Sequence, residues 1–168
     1  MAVELSDVVS LICSHCSCAL DPEVLYCREC RKLLVEDDGD TPIPEEDERI
    51  LLLAQGCELL QTGEWELGAF RHWLQEFISE QARREIQIAE VYQSIPIGLE
   101  EEFQEEIDMG FAGVSAVNEA LTLLAEYDPD TCPAEALKRS LALYYKGVCV
   151  VKEAMNINRR NRGRPLWI

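Results

Sequence analysis

The chain has 168 residues and 48% apolar content, enough for one domain with a small appendage and a real core, which excludes disorder throughout. Its 32 acidic against 15 basic residues give a net charge of −17, which opposes long-range attraction to nucleic-acid phosphates and to anionic membrane surfaces. The opening MAVELSDVVSLIC has Glu4 and Asp7 where a secretion signal would be positive. Nowhere do the roughly 18 apolar residues of a spanning helix run together, so a cytoplasmic protein with no membrane association is expected.

In that compartment thiols stay reduced, so the eight cysteines are expected to be metal ligands or buried thiols rather than a disulfide framework. Residues 1–34 form a cysteine-rich head in which Cys13-Ser14-His15-Cys16 and Cys27-Arg28-Glu29-Cys30 make two CxxC pairs. Each pair places two thiolates on one tight turn, and two such turns supply the four-sulfur shell that one structural zinc ion accepts. Four thiolates leave no open coordination position, so the metal is expected to hold the fold and not to activate water. Cys18 and His15 are spare ligands beside a complete set of Cys13, Cys16, Cys27 and Cys30.

With Leu20 after the first pair, Tyr26 before the second and Leu33 beyond it, the stretch from Leu11 to Leu34 resembles the short zinc-ribbon family of bacterial and archaeal proteins. The resemblance implies a small zinc-held ribbon. Ser17 and Arg31 stand where that family usually has glycine, which predicts local backbone strain.

The acidic linker VEDDGDTPIP, residues 35–44, has the charge, glycine and prolines of a segment that cannot pack. A helical body over residues 45–158 follows. Pro44 and the acids Glu45 to Glu48 suit a helix start, and Ile50, Leu53, Cys57 and Leu60 recur at helical spacing as far as Gln61. Gly63 then allows a sharp turn. A second helix over about 64–94 carries Leu67, Phe70, Leu74, Phe77, Ile88, Val91 and Ile95 on one stripe, interrupted by Gln81 and Arg84. AQGCELLQTGEWELGAF resembles the first helix and turn of a tetratricopeptide repeat through Gly56, Gly63, Trp65 and Gly68. His72 replaces the expected phenylalanine and no second copy follows, so an ordinary helical hairpin is the expectation.

The third helix shows Phe103, Ile107, Gly110, Val114, Val117, Leu121 and Leu124 in alternating steps of four and three, a coiled-coil-like seam. Asp128 and Pro129 stop it. Pro133 opens a fourth helix with Leu137, Leu141, Tyr144, Val148, Val151 and Met155 inward, and the last two helices are expected to pair antiparallel. Gly110, Ala112, Gly113 and Ala116 would allow close helix approach, and Cys57 and Cys149 are expected to be buried as small hydrophobes. Residues 159–168 form a basic, then hydrophobic, tail ending Leu166, Trp167 and Ile168.

The fold class expected is mainly α, an N-terminal zinc ribbon followed by an elongated bundle of about four helices. Catalytic machinery is not in view. Only His15 and His72 are present, no phosphate loop, dinucleotide fingerprint or nucleophile elbow appears, and Glu101, Glu105 and Asp108 should lie on a solvated face. These features point to a non-enzymatic zinc-binding adaptor or assembly protein whose partner is a protein, with homo-oligomerisation through the helices also open. The alternative is a nucleic-acid-associated regulatory factor using the ribbon as its contact surface, against which the acidic charge weighs. A third reading, an enzyme or ligand sensor with a pocket inside the bundle, would draw attention to Trp65, His72 and Trp73.

Overall fold

The computed structural model describes residues 11–13, 16–20, 27, 29–30, 48–93, 101, 103–161 and 163, with side chains for all of these except Leu11 and 84–93. The linker, His15, Tyr26, Leu33, Ile95 and the end of the tail lie outside the described residues, as do the side chains of Arg84, Ile88 and Val91.

Two short strands open the described chain. β1 (Leu11–Ile12) pairs antiparallel with β2 (Ala19–Leu20), Leu11 opposite Leu20 and Ile12 opposite Ala19. Four helices follow, α1 (Glu48–Gln61), α2 (Leu67–Gln93), α3 (Gln104–Glu126) and α4 (Ala134–Asn161), and they account for most of the described residues. With 27, 23 and 28 residues, the last three span about 40, 35 and 42 Å at 1.5 Å per residue. α1 has 14 residues and reaches about half as far.

Among the described residues, each helix packs against its neighbours in sequence, and α4 closes back on α1. The polar contacts give the directions. Gln61 at the end of α1 donates to the Ala134 carbonyl at the start of α4 (3.3 Å), and Arg71 near the start of α2 donates to the Tyr127 carbonyl just past α3 (3.3 Å). Neighbouring helices therefore run antiparallel.

The short α1 divides the packing in two. Where all four helices are present, the core is built of large side chains: Ile50, Leu53 and Leu60 from α1, Phe70, Leu74 and Phe77 from α2, Leu121 and Leu124 from α3, and Leu137, Leu141 and Tyr144 from α4. Phe70, Trp73 and Phe77 recur at helical spacing, and their rings meet at 5.7–5.9 Å between centroids, with Phe77 reaching Tyr144 at 6.0 Å. Such tilted contacts suit the ring quadrupole. Trp73 also lies over Gly56, where an added Cβ would stand 2.4 Å from its ring, so α1 gives up a side chain to seat the indole. At the turn between them Gly63 takes φ +75°, the left-handed conformation a tight helix exit needs.

Beyond the reach of α1 the residues shrink. A second cluster consists of Met109, Ala116, Val150 and Ala154. An added Cβ on Gly113 would lie 2.8 Å from the Gly147 carbonyl oxygen, and one on Gly147 would lie 2.9 Å from the Gly113 carbonyl oxygen. The two backbones touch there, as the small residues of the third helix lead one to expect.

Near that contact the buried faces of both helices depart from those read from the sequence, while Val117, Leu121, Leu124, Leu137, Leu141, Tyr144 and Val148 are buried as expected. Phe103, just before α3, and Ile107 and Val114 within it are only half-buried, while Glu106, Met109, Ala112 and Gly113 face inward alongside the expected Gly110. In α4, Val151 and Met155 are half-buried while Gly147, Val150 and Ala154 are buried. Large side chains at the seam would hold the backbones apart. Cys149 is exposed, contrary to the expectation of a buried thiol, because it lies about 200° around the helix from Gly147. Cys57 is buried as expected.

α4 continues through Asn161, so Arg159 and Arg160 form its last turn, where positive charge suits the helix dipole. Arg160 bonds to Glu153 on the same helix. α3 is the one described helix long and apolar enough to cross a membrane. It meets that criterion weakly, at a mean hydropathy of 1.2, and half of the apolar window is buried against the rest of the protein, which is compatible with a soluble protein.

Candidate metal centre

The segment between β1 and β2 carries three of the head's cysteines, Cys13, Cys16 and Cys18. The Cys13 amide donates to the Cys18 carbonyl and the Ser17 amide to the Cys13 carbonyl, both at 2.9 Å. Ser17 is at φ +62°, the left-handed region that glycine enters freely and that costs other residues about 1–2 kcal/mol. The strain anticipated from serine in a glycine position is present. Cys27 and Cys30 bring the second pair of thiols to the same point.

The sulfurs of Cys13, Cys16, Cys27 and Cys30 all lie within 4.8 Å of one another. Cys13 and Cys30 are 3.7 Å apart and Cys16 and Cys27 are 3.6 Å apart. A tetrahedral zinc with bonds of about 2.3 Å requires sulfur–sulfur edges of about 3.8 Å, so these two edges fit the ion with little adjustment. Cys13 and Cys27 are buried, Cys30 is half-buried and Cys16 is exposed. The four thiols could hold one metal ion.

Backbone amides prepare the sulfurs for negative charge. The Cys30 amide, with help from the Cys18 thiol and the Glu29 amide, holds the Cys27 thiol down to about 6. Cys16 receives the Cys18 amide in the same way, but the crowding thiols of Cys18, Cys27 and Cys13 together with desolvation outweigh it and push Cys16 up to about 11. Thiolates packed this closely repel one another, and a divalent cation among them would offset that repulsion.

Cys18 adds a fifth thiol. Its sulfur is 3.1 Å from Cys16 Sγ and 3.1 Å from Cys27 Sγ.

The remaining candidates stay apart. His72 is exposed and 3.8 Å from Glu76. Trp65 and Trp73, with ring centroids 5.4 Å apart, pack onto the large-residue core. Glu101 and Glu105 are exposed, and Asp108 is half-buried and accepts from Gln104 at 2.9 Å. Glu106, inside the same acidic run, is 1% exposed and accepts a hydrogen bond from Asn158. The sequence reading passed over it. The available signal was its place four residues before Gly110 and seven before Gly113, on the small-residue face. A recess of about 500 Å³ lies where α1 ends and α4 begins, lined in part by Tyr127, Cys132 and Lys138. Desolvation by burial raises the Tyr127 phenol, with Cys132, Asp128 and Glu135 adding to it.

No family model, curated protein or solved structure matches this chain.

Proposed function

We propose that the protein is a non-enzymatic, zinc-binding adaptor or assembly protein. A zinc ribbon of residues 11–34, held by Cys13, Cys16, Cys27 and Cys30, is joined by the acidic linker to a helical interaction domain. The observation that carries the reading is the gathering of four sulfurs within 4.8 Å of one another, two pairs of them 3.6 and 3.7 Å apart, which suits a four-thiolate zinc site. Such a site stabilises a fold and offers no position for substrate or water. On the helical side, the outer face of α3 shows Phe111 at 55% and Leu123 at 45% exposure, and α1 shows Leu51 and Leu52. Apolar side chains on an acidic surface suit a protein partner better than a phosphate backbone.

The test is elemental analysis of the full chain purified without chelator, alongside a variant with all four cysteines replaced by serine. One equivalent of zinc in the first and none in the second is expected. Full zinc retention by the four-serine variant would sink the site. Affinity capture followed by nuclease treatment separates the adaptor from the nucleic-acid reading, since only a protein partner survives digestion of nucleic acid.

A further inference from the structure

We propose that Cys18 is a resolving thiol: when a peroxide oxidises the exposed zinc ligand Cys16, Cys18 closes a disulfide with it, so that the head releases its metal reversibly. The inference rests on the zinc reading above and adds a modification site beside it. Cys18 stands outside the four sulfurs that gather within 4.8 Å of one another, yet its own sulfur is 3.1 Å from that of Cys16 and 3.1 Å from that of Cys27. Both separations are shorter than the tetrahedral edge of about 3.8 Å, so Cys18 is no further corner of the site. It is a thiol in contact with two ligands and not itself held by the ion.

Exposure decides which of the two neighbours reacts. Cys16 is exposed and Cys27 is buried, so a small oxidant from solvent meets Cys16 first, and as a zinc ligand Cys16 is a thiolate, the form that attacks peroxide. The backbone keeps Cys18 at hand. Ser17 makes its left-handed turn between the two cysteines with its amide on the Cys13 carbonyl, while the Cys18 carbonyl accepts from the Cys13 amide. From 3.1 Å, closure to a bond of about 2.05 Å needs a shift of roughly 1 Å. The competing pairs, Cys13 with Cys30 and Cys16 with Cys27, stand at 3.7 and 3.6 Å, where coordination would keep them.

The chemistry balances with hydrogen peroxide as the oxidant. The Cys16 thiolate takes one peroxide oxygen and becomes a sulfenic acid, hydroxide leaves, and the bond from Cys16 to zinc breaks. The Cys18 sulfur then attacks the Cys16 sulfur, and the sulfenic hydroxyl departs with the Cys18 proton as water. The two sulfurs together give up two electrons, which the peroxide accepts, and zinc stays divalent. A disulfide is restored by thiols, whereas a sulfenic acid left unresolved passes on to sulfinic acid, which they do not reverse.

Full-length, zinc-loaded wild type and Cys18→Ser are treated with hydrogen peroxide and then with a dithiol reductant and fresh zinc. Bound zinc is read by a chromogenic chelator, sulfur oxidation by peptide mass mapping, and the helices by far-ultraviolet circular dichroism. Both proteins should start with one equivalent of zinc, since Cys18 lies outside the ligand set. Wild type should lose zinc as a Cys16–Cys18 disulfide accumulates and should recover its full equivalent after reduction. Cys18→Ser should also lose zinc but recover little, with its Cys16 found as sulfinic acid. Equal recovery by the two proteins overturns the proposal, as does a wild type that keeps its zinc in peroxide, a disulfide that omits Cys16 or Cys18, or a Cys18→Ser variant that cannot load zinc. A wild type with no zinc before peroxide instead overturns the metal site itself, a distinct result.

Discussion

The cysteine head and the helical body reach order by different routes. In the head the described strands have two residues each, too few to bury a core, and the contacts that converge are sulfurs which repel one another once ionised. In the body, large side chains fill the space among four helices, and small ones let two helices touch once α1 has ended. Order that depends on a bound ion should vanish with the ion. Order that depends on packing should vanish only when volume changes.

The sharpest way to break the comparison is chelation. Structural zinc contributes about 10–16 kcal/mol to small thiolate sites, so a strong chelator should unfold the head completely while most helical circular dichroism persists. Collapse of the whole helical signal would show that the two regions share one folding unit. Acid should act in the same direction, because protons compete with the metal for the thiolates, and zinc release should rise as pH falls.

The reciprocal experiment perturbs packing. Phe70→Ala removes a fully buried ring touching Trp73 and should cost about 3–5 kcal/mol of body stability in urea titration, with zinc content unchanged. Gly113→Ala should be milder, about 1–3 kcal/mol destabilising, because the added methyl meets the Gly147 carbonyl. Its sign is the informative part, since alanine at an exposed helical site would gain about 1 kcal/mol over glycine. A stabilised Gly113→Ala would mean that the backbones do not touch. The smallest effect belongs to the head: Ser17→Gly relieves the left-handed strain, worth at most about 1–2 kcal/mol, and should make zinc slightly harder to chelate.

The two regions also differed in how much their residues disclosed. CxxC spacing is local, so the convergence of Cys13, Cys16, Cys27 and Cys30 was legible, and Ser17 could be marked as strained before any geometry was known. Helix limits were legible for the same reason, through Gly63, Asp128, Pro129 and Pro133. The inward faces of α3 and α4 were read well at Val117, Leu121, Leu124, Leu137, Leu141 and Tyr144. They were misread at Phe103, Ile107, Val114 and Cys149, because periodicity arguments place the largest residues inside and cannot see that two backbones meet at glycine. Glu106 escaped notice because its partner, Asn158, lies 52 residues away in sequence.

That buried hydrogen bond between Glu106 and Asn158 settles something the glycine and alanine seam leaves open. A contact surface of small side chains is smooth, and two helices meeting along it have little to stop them sliding by a turn. A carboxylate taken out of water is tolerable only where a donor waits for it, so each alignment that parts Glu106 from Asn158 abandons that group inside the protein. The pair therefore acts as a key cut for one position along the rail, rejecting the wrong alignments more than it strengthens the right one.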